Sequence, residues 1–195
     1  PAHQRQIAEL SVTIEEDLDG ILRQLAIRRM VFLPTPIDVD SLTRKTNLHE
    51  ANLIAELIGN FRQLYEEKAS IGVITPYYGQ NFKIKEYLEK NLTDKKVLRS
   101  IEVKSVDAFQ GREKDFILFS CVRSSGTRGI GFLKNRNRLN VALTRAKYGL
   151  VLCGNDTYLS SDPMWARLIE HYAKLGALVT NPYQELDFLR LKLVS

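Results

Sequence analysis

The sequence contains no phosphate-binding loop of the form G-x-x-x-x-G-K-[ST] and no acidic Mg2+-binding motif after an apolar strand. A nucleoside triphosphate would find neither its usual cradle nor its metal ligand in this chain. A G-x-G-x-x-G fingerprint is also missing, which argues against a dinucleotide-binding enzyme. Cysteine is scarce: Cys121 and Cys153 each sit inside an apolar run, where a buried, reduced thiol is the expected state. This predicts an intracellular, cytoplasmic setting. His3, His49 and His171 are scattered without a nucleophile partner, and no His or Cys cluster has metal-ligand spacing, so no metal site is predicted. No apolar run approaches the roughly 18 residues of a membrane span. No signal-peptide pattern opens the chain, and no membrane partner is predicted. The first residue is Pro1 rather than methionine, which predicts a trimmed or excised piece.

What is present is an ordinary globular composition. The 195 residues fit one domain with short extensions and are enough to bury a core. A net charge of +5 permits a polyanionic partner without requiring one. From about residue 31 onward, short apolar runs alternate with amphipathic stretches, the pattern of a parallel α/β sheet. Strands are predicted at Met30–Pro36, Ser70–Thr75, Ile101–Val106, Phe116–Val122 and Tyr148–Cys153, with a short one at Ala177–Val179. Helices are predicted over residues 12–29, from Asn47 to about Glu67, from Phe82 to about Asn91, over Arg136–Ala146, from Pro163 to Leu175 and at the C-terminus. Residues 37–46 and the stretch Asn91–Lys96 read as polar loops.

Two dense polar clusters flank the apolar run Phe116–Val122. The second, Asn137–Lys147, reads NRLNVALTRAK. At about 100° per residue, a helix through it places Arg138 and Arg145 on one face and Leu139, Ala142, Leu143 and Ala146 on the other. Two aligned guanidinium forks suit phosphate, although on spacing alone a solvated basic helix face is the commoner reading. The first cluster, Ser105–Asp115, reads SVDAFQGREKD, a strand end running into a turn. Strand ends of parallel sheets are where α/β proteins place ligands, and Gly111 permits a close backbone approach. Arg112, Lys114 and Asp115 also fit a solvated turn. A third stretch, ITPYYGQ (Ile74–Gln80), ends a buried strand, and its Tyr77 and Tyr78 suit either base stacking or packing beneath the sheet edge. Asn47-Leu48-His49-Glu50-Ala51 reads as a capped helix start. Trp165 reads as core.

The two clusters together closely resemble motifs V and VI of superfamily 1 helicases, specifically the Upf-like/senataxin group. ITPYYGQ resembles that group's I-T-P-Y-x-x-Q motif, and Asn47–Ala51 its N-x-x-E-A helix start. The likeness covers about residues 47–180. It implies an α/β, RecA-like P-loop-NTPase fold: a mainly parallel sheet flanked by helices, here lacking its own phosphate loop. Residues 31–195 would be the second RecA-like helicase domain, and residues 1–30 a helical extension. The family's Q-Y-R-M-type motif, which supplies another phosphate-binding arginine, is absent.

By this resemblance Arg145 is the arginine finger on the γ-phosphate and Arg138 a second arginine needed by the motor. Gly111 and Glu113 face the nucleotide, Glu113 at the ribose, with Gln110 beside them. Thr75, with Pro76, Tyr77 and Gln80 around it, and Ser105 serve the nucleic-acid backbone; Asp107, with Gln110, couples the two sites. Arg123 matches a position tied to coupling, with a structural salt bridge equally open. The implied cofactor is ATP with Mg2+, the metal being held by the first RecA-like domain of the same protein. The implied partners are that domain and single-stranded DNA or RNA. An ATP-dependent helicase moving 5′ to 3′ is the function implied, with this fragment inactive alone. A non-catalytic nucleic-acid-binding or regulatory module of the same fold is the alternative.

Overall fold

The computed structural model describes residues 28–65 and 69–184, together with Ile21 and Leu25. The helix expected over residues 12–29 and most of the C-terminal one lie outside the described residues. Five parallel strands make one sheet in the order β1-β5-β4-β2-β3. They are β1 (Met30–Pro34), β2 (Ile71–Thr75), β3 (Glu102–Ser105), β4 (Lys114–Ser120) and β5 (Ala146–Gly154). The helices, in chain order, are α1 (Ser41–Arg44), α2 (Leu48–Tyr65), α3 (Tyr78–Asn91), α4 (Lys95–Ser100), α5 (Arg136–Leu143), α6 (Asp156–Leu159) and α7 (Pro163–Lys174).

Period-two alternation sorts the strand side chains onto two faces, and both faces are covered. Val31, Leu33, Ile71, Val73, Phe116, Leu118 and Val151 pack with Leu53, Ile54, Leu57, Ile58 and Phe61 of α2 and with Ile84 and Leu88 of α3. Phe32, Ile74, Ile117, Phe119, Leu150 and Leu152 pack with Phe109, with Leu139 and Ala142 of α5, and with Trp165, Ile169 and Tyr172 of α7. The indole Nε1 of Trp165 donates to the Leu133 carbonyl at 3.0 Å. Residues 177–179 lie beside β1: Phe32 N–H donates to Ala177 at 2.8 Å, and Val179 N–H to Phe32 at 3.0 Å.

From β2 the chain moves outward to β3 by way of α3 and α4; from β4 it moves the opposite way to β5 by way of α5. β2 and β4 are neighbours, so their carboxyl ends bound the crevice at which an open α/β sheet reverses direction. The return from β3 to β4 is short. It passes over β2 as a 3-10 turn, Asp107–Phe109, whose buried Phe109 ring lies on Gly72. A Cβ on Gly72 would sit 2.6 Å from Phe109 Cζ, so any other residue here would displace the ring.

The strand bounds shift by a few residues, α6 stands where a loop was expected after Asn155, and four further helix positions depart from expectation. Residues 37–46 contain α1, and Lys45 closes it in the left-handed region. The expected loop after Asn91 holds α4, nucleated where Asp94 accepts from Lys96 N–H at 2.7 Å. α3 begins at Tyr78 rather than Phe82, because Gly79 fits closely beneath Thr46 and Gln80 is tied to Asn47. α5 stops at Leu143, three residues before its expected end, because Ala146 must enter the sheet opposite Lys114. Cys121 and Cys153 are buried free thiols on opposite faces, and burial pushes both well above the usual thiol range. Among the described residues no helix is long and apolar enough to cross a membrane, and no group of His, Cys, Asp and Glu could hold a metal ion.

Candidate functional site

At the carboxyl edge of the sheet, Thr75 ends β2 directly opposite Ser105, the end of β3. Thr75 is fully buried, and its Oγ1 has no partner among the described residues. Ser105 is half-buried, its Oγ accepting from Ala108 N–H at 3.4 Å. Pro76 and Tyr77 follow Thr75, both half-buried. The two tyrosines have separate fates. Tyr77 receives a hydrogen bond from Arg123 Nε at 3.0 Å and lies 5.4 Å beneath that guanidinium. Tyr78 is 72% exposed and packs edge-on with Phe82, itself 56% exposed, at 4.8 Å between centroids. Asp107 is exposed and faces Arg138 Nε at 3.4 Å; Arg138 also lies 5.1 Å over the Phe132 ring.

Gln80 does not stand on this surface. It is fully buried, its Oε1 accepting from Asn47 N–H at 2.8 Å and its Nε2 donating to the Asn47 carbonyl at 2.9 Å and to Ser120 Oγ at 3.0 Å. Around it is a polar cluster rather than the simple helix cap that Asn47–Ala51 predicts. Asn47 does cap α2, its Oδ1 accepting from Glu50 N–H at 3.1 Å. Glu50, however, does not reach back to the Asn47 amide. Its carboxylate lies in the interior, accepting from Ser120 Oγ at 2.6 Å, from Val122 N–H at 3.0 and 2.9 Å, and from Asn47 Nδ2 at 3.1 Å. Burial outweighs these donors and pushes its pKa up to about 8. The only trace of this in the sequence was an acidic residue one turn into a helix beginning with Asn, which does not distinguish a surface cap from a buried clamp.

The second set lies at the other end of the strands. Gln110, Gly111 and Glu113 are exposed on the approach to Lys114, the first residue of β4. Gly111 adopts φ +76°, and nothing lies within 4 Å of where its Cβ would be. Arg145 immediately precedes β5, and its carbonyl accepts from Lys114 N–H at 3.1 Å, so Glu113 and Arg145 flank the same pair of strand starts. Arg145 is not on a helix face shared with Arg138, as the spacing suggested. It lies beyond the end of α5, folded back so that Nε donates to Val141 O at 2.8 Å and Nη2 to Thr144 Oγ1 at 3.0 Å. Nor are Arg112 and Lys114 merely solvated: both pair with Glu102, Lys114 at 3.2 Å.

Two groups of candidate residues thus occupy opposite edges of one sheet. The eight-residue α5 runs between them, Arg138 near Asp107 at one end and Arg145 just past the other. That helix spans about 12 Å. A nucleotide would meet only one wall here: an arginine, an exposed carboxylate and an open glycine, with no phosphate cradle among the described residues.

Residues 25–157 match the family model described as an AAA domain. The chain therefore belongs to the AAA domain family, within which it is a Upf1-like superfamily 1 helicase domain. It is 47% identical over 134 residues to regulator of nonsense transcripts 1 of Dictyostelium discoideum, an alignment covering 68% of this chain and 10% of that protein. It is 49% identical over 125 residues to the ATP-dependent helicase NAM7 of Saccharomyces cerevisiae, covering 64% and 13%. With the ATP-dependent helicase upf1 of Schizosaccharomyces pombe it shares 43% over 148 residues, covering 75% and 16%. The chain spans only a tenth to a sixth of the length of these curated relatives.

Proposed function

We propose that this chain is the second RecA-like domain of an ATP-dependent motor that travels on single-stranded nucleic acid. Its amino-edge set serves the nucleotide and its carboxyl-edge set the strand. The observation that carries this reading is the separation of the two sets, with α5 spanning the sheet between Asp107–Arg138 and Arg145. A device that converts hydrolysis into movement needs such a link, because closure on one ligand must change the grip on the other.

In this reading the first RecA-like domain of the same protein faces the amino edge. It contributes the phosphate loop and the Mg2+ ligands that this chain lacks. Arg145 donates to the γ-phosphate oxygens across the cleft, where a fixed cation stabilises charge that develops during phosphoryl transfer. Glu113 takes the ribose hydroxyls, with Gly111 leaving room for the sugar and Gln110 at the rim. ATP with Mg2+, when bound, supplies the phosphoanhydride whose hydrolysis drives the cycle. At the carboxyl edge Ser105 gives the strand a hydroxyl, with Thr75 opposite it in register. Thr75 Oγ1 is buried without a partner among the described residues, so it takes up a phosphate only when the strand ends around it part. Gln80 acts from the interior, holding the Tyr77 end of α3 against Asn47. Contacts to phosphate rather than base suit passage along any sequence. The relatives named as regulators of nonsense transcripts favour RNA as the strand.

The test is strand-stimulated ATPase activity of the full-length protein, wild type against Arg145→Ala. The expected fall is roughly 10³-fold or more, with nucleotide binding retained. Circular dichroism melts check that losing the bond to Val141 has not unfolded α5. An active Arg145→Ala enzyme refutes the finger; a wild-type protein without ATPase activity turns the reading to a binding module.

A further inference from the structure

Three described non-glycine residues have positive φ: Arg29, Lys45 and Val122. Lys45 closes a helix, where the left-handed region is common. Val122 is different. It is β-branched, fully buried, and sits at φ +70° just past the end of β4. Arg123 N–H donates to the Cys121 carbonyl at 2.8 Å, two residues back. Together these make Val122 the centre of a positive-φ γ-turn, a rare and strained conformation. Strain of this kind persists only where the surroundings over-determine it.

The surroundings here are the first turn of α2. Val122 N–H is held by both carboxylate oxygens of Glu50, and its carbonyl accepts from Asn47 Nδ2 at 3.2 Å. Gln80 fixes Asn47 in turn, and Ser120 fixes Glu50. All four side chains are fully buried. Among the described residues Glu50 makes no ion pair; its side chain holds the backbone turn and its neighbours Ser120 and Asn47.

The turn dictates where Arg123 emerges, at the crevice between the carboxyl ends of β2 and β4. Its Nε is bound to Tyr77 Oη and its Nη1 faces the Leu42 carbonyl at 3.4 Å, so the guanidinium plane is fixed. Among the described residues no carboxylate pairs with it, and nothing accepts from Nη2. Gly131 keeps the approach clear: a Cβ there would stand 3.0 Å from Tyr77 Oη and 3.6 Å from Nη2. A half-buried arginine, rigidly aimed and lacking an internal counter-charge, is complementary to an external anion with several acceptor oxygens.

We infer that Arg123 binds a backbone phosphate of the single strand, and that Glu50 and Asn47 are positioning residues that aim it through the strained Val122 turn. This rests on the reading of the carboxyl edge as the strand track. It extends that track from Thr75 and Ser105 to the end of β4, and it makes Tyr77 the seat of a cation rather than a stacking platform.

The test is binding of a fluorescent oligouridine to the full-length protein across a salt series. Arg123→Ala is expected to weaken binding about tenfold or more at fixed salt. It should also lower the slope of log K against log salt by about 0.7, the value of one single-strand phosphate. Glu50→Ala, which removes the side chain that holds Val122 N–H, should lose the same slope with Arg123 still present, and the double variant with Arg123→Ala should lose no more. Val122→Gly, which frees the turn while leaving the Glu50 and Arg123 side chains in place, is the second probe and should behave as Glu50→Ala does. Each variant is checked for native circular dichroism. If wild type shows no salt-dependent binding, the strand-track reading fails and this inference with it. Binding by wild type with an unchanged slope in Arg123→Ala overturns the phosphate contact alone. A reduced slope in Arg123→Ala but wild-type slopes in folded Glu50→Ala and Val122→Gly overturn the positioning role.

Discussion

Gly72→Ala tests the path by which the motif between β3 and β4 is held on the sheet. The added methyl would stand 2.6 Å from Phe109 Cζ, 2.9 Å from Ile117 Cδ1 and 3.0 Å from Lys114 Cγ. Ordinary contact needs close to 3.5–4.0 Å, so the Phe109 ring must retreat by about 1 Å. It has nowhere to go cheaply, because Phe109 is fully buried and Ile117 and Phe119 pack in the same layer. Overpacking of this kind costs about 1–3 kcal/mol. The lower backbone entropy of alanine in the unfolded chain returns about 0.4–1 kcal/mol. Taking the middle of each range, the net loss is about 1.3 kcal/mol, or a melting temperature lower by about 3–5 °C for a chain of this size. Because Phe109 closes the turn that carries Asp107, Gln110 and Gly111, strand-stimulated ATPase activity should fall more than stability alone accounts for. Urea titration gives the first quantity. Combining Gly72→Ala with Phe109→Leu gives the coupling: the double variant should be less damaged than the sum of the singles. A neutral or stabilising Gly72→Ala, or strict additivity with Phe109→Leu, would refute the argument.

Two other perturbations follow from buried polar groups. Burial raises the Glu50 pKa from 4.5 to about 8, against the lowering effect of its bonds from Ser120 and Val122. In the unfolded chain Glu50 therefore ionises first, and its contribution to stability is complete below about pH 4.5 and shrinks as pH rises toward 8. Urea unfolding from about pH 5 to about pH 8 should show this decline, flattened in Glu50→Gln; equal slopes in both proteins would count against it. Trp165→Phe leaves the Leu133 carbonyl without its donor in the interior. It should cost about 1–2 kcal/mol by chemical denaturation, and a variant as stable as wild type would show that the bond contributes nothing.

Much of the architecture was legible because strands buried on both faces read as unbroken apolar runs. Ile71–Thr75 and Phe116–Ser120 are such runs, and each lies close to where its hydropathy placed it. The helices predicted from Asn47 and from Pro163 also lie close to α2 and α7, whose Leu53, Ile54, Leu57 and Ile58, and Ile169 and Tyr172, turn to the sheet. α1 and α4 were missed because four to six residues carry too little periodicity, and a cap such as Asp94 also reads as a loop residue. The end of α5 was missed for a different reason. Local pattern favoured continuing the helix through Arg145, whereas pairing of Ala146 with Lys114 ends it.

Residue identity alone determined the chemistry available: two arginines, a glycine beside a glutamate, a threonine and a serine closing apolar runs, and no phosphate loop. It determined the family as well, since those strings are specific. Which of these residues share a surface was decided only by the tertiary structure. Strand register set Thr75 opposite Ser105 and brought Glu113 to Arg145 at the far edge. Folding also buried Gln80 and Glu50, and bent the chain at Val122 so that Arg123 faces the crevice. The physical reason is range. Composition and periodicity act over a few residues, whereas the clamp on Val122 joins Glu50 to a turn 72 positions away. Contacts so distant in sequence form only when the sheet brings their elements together.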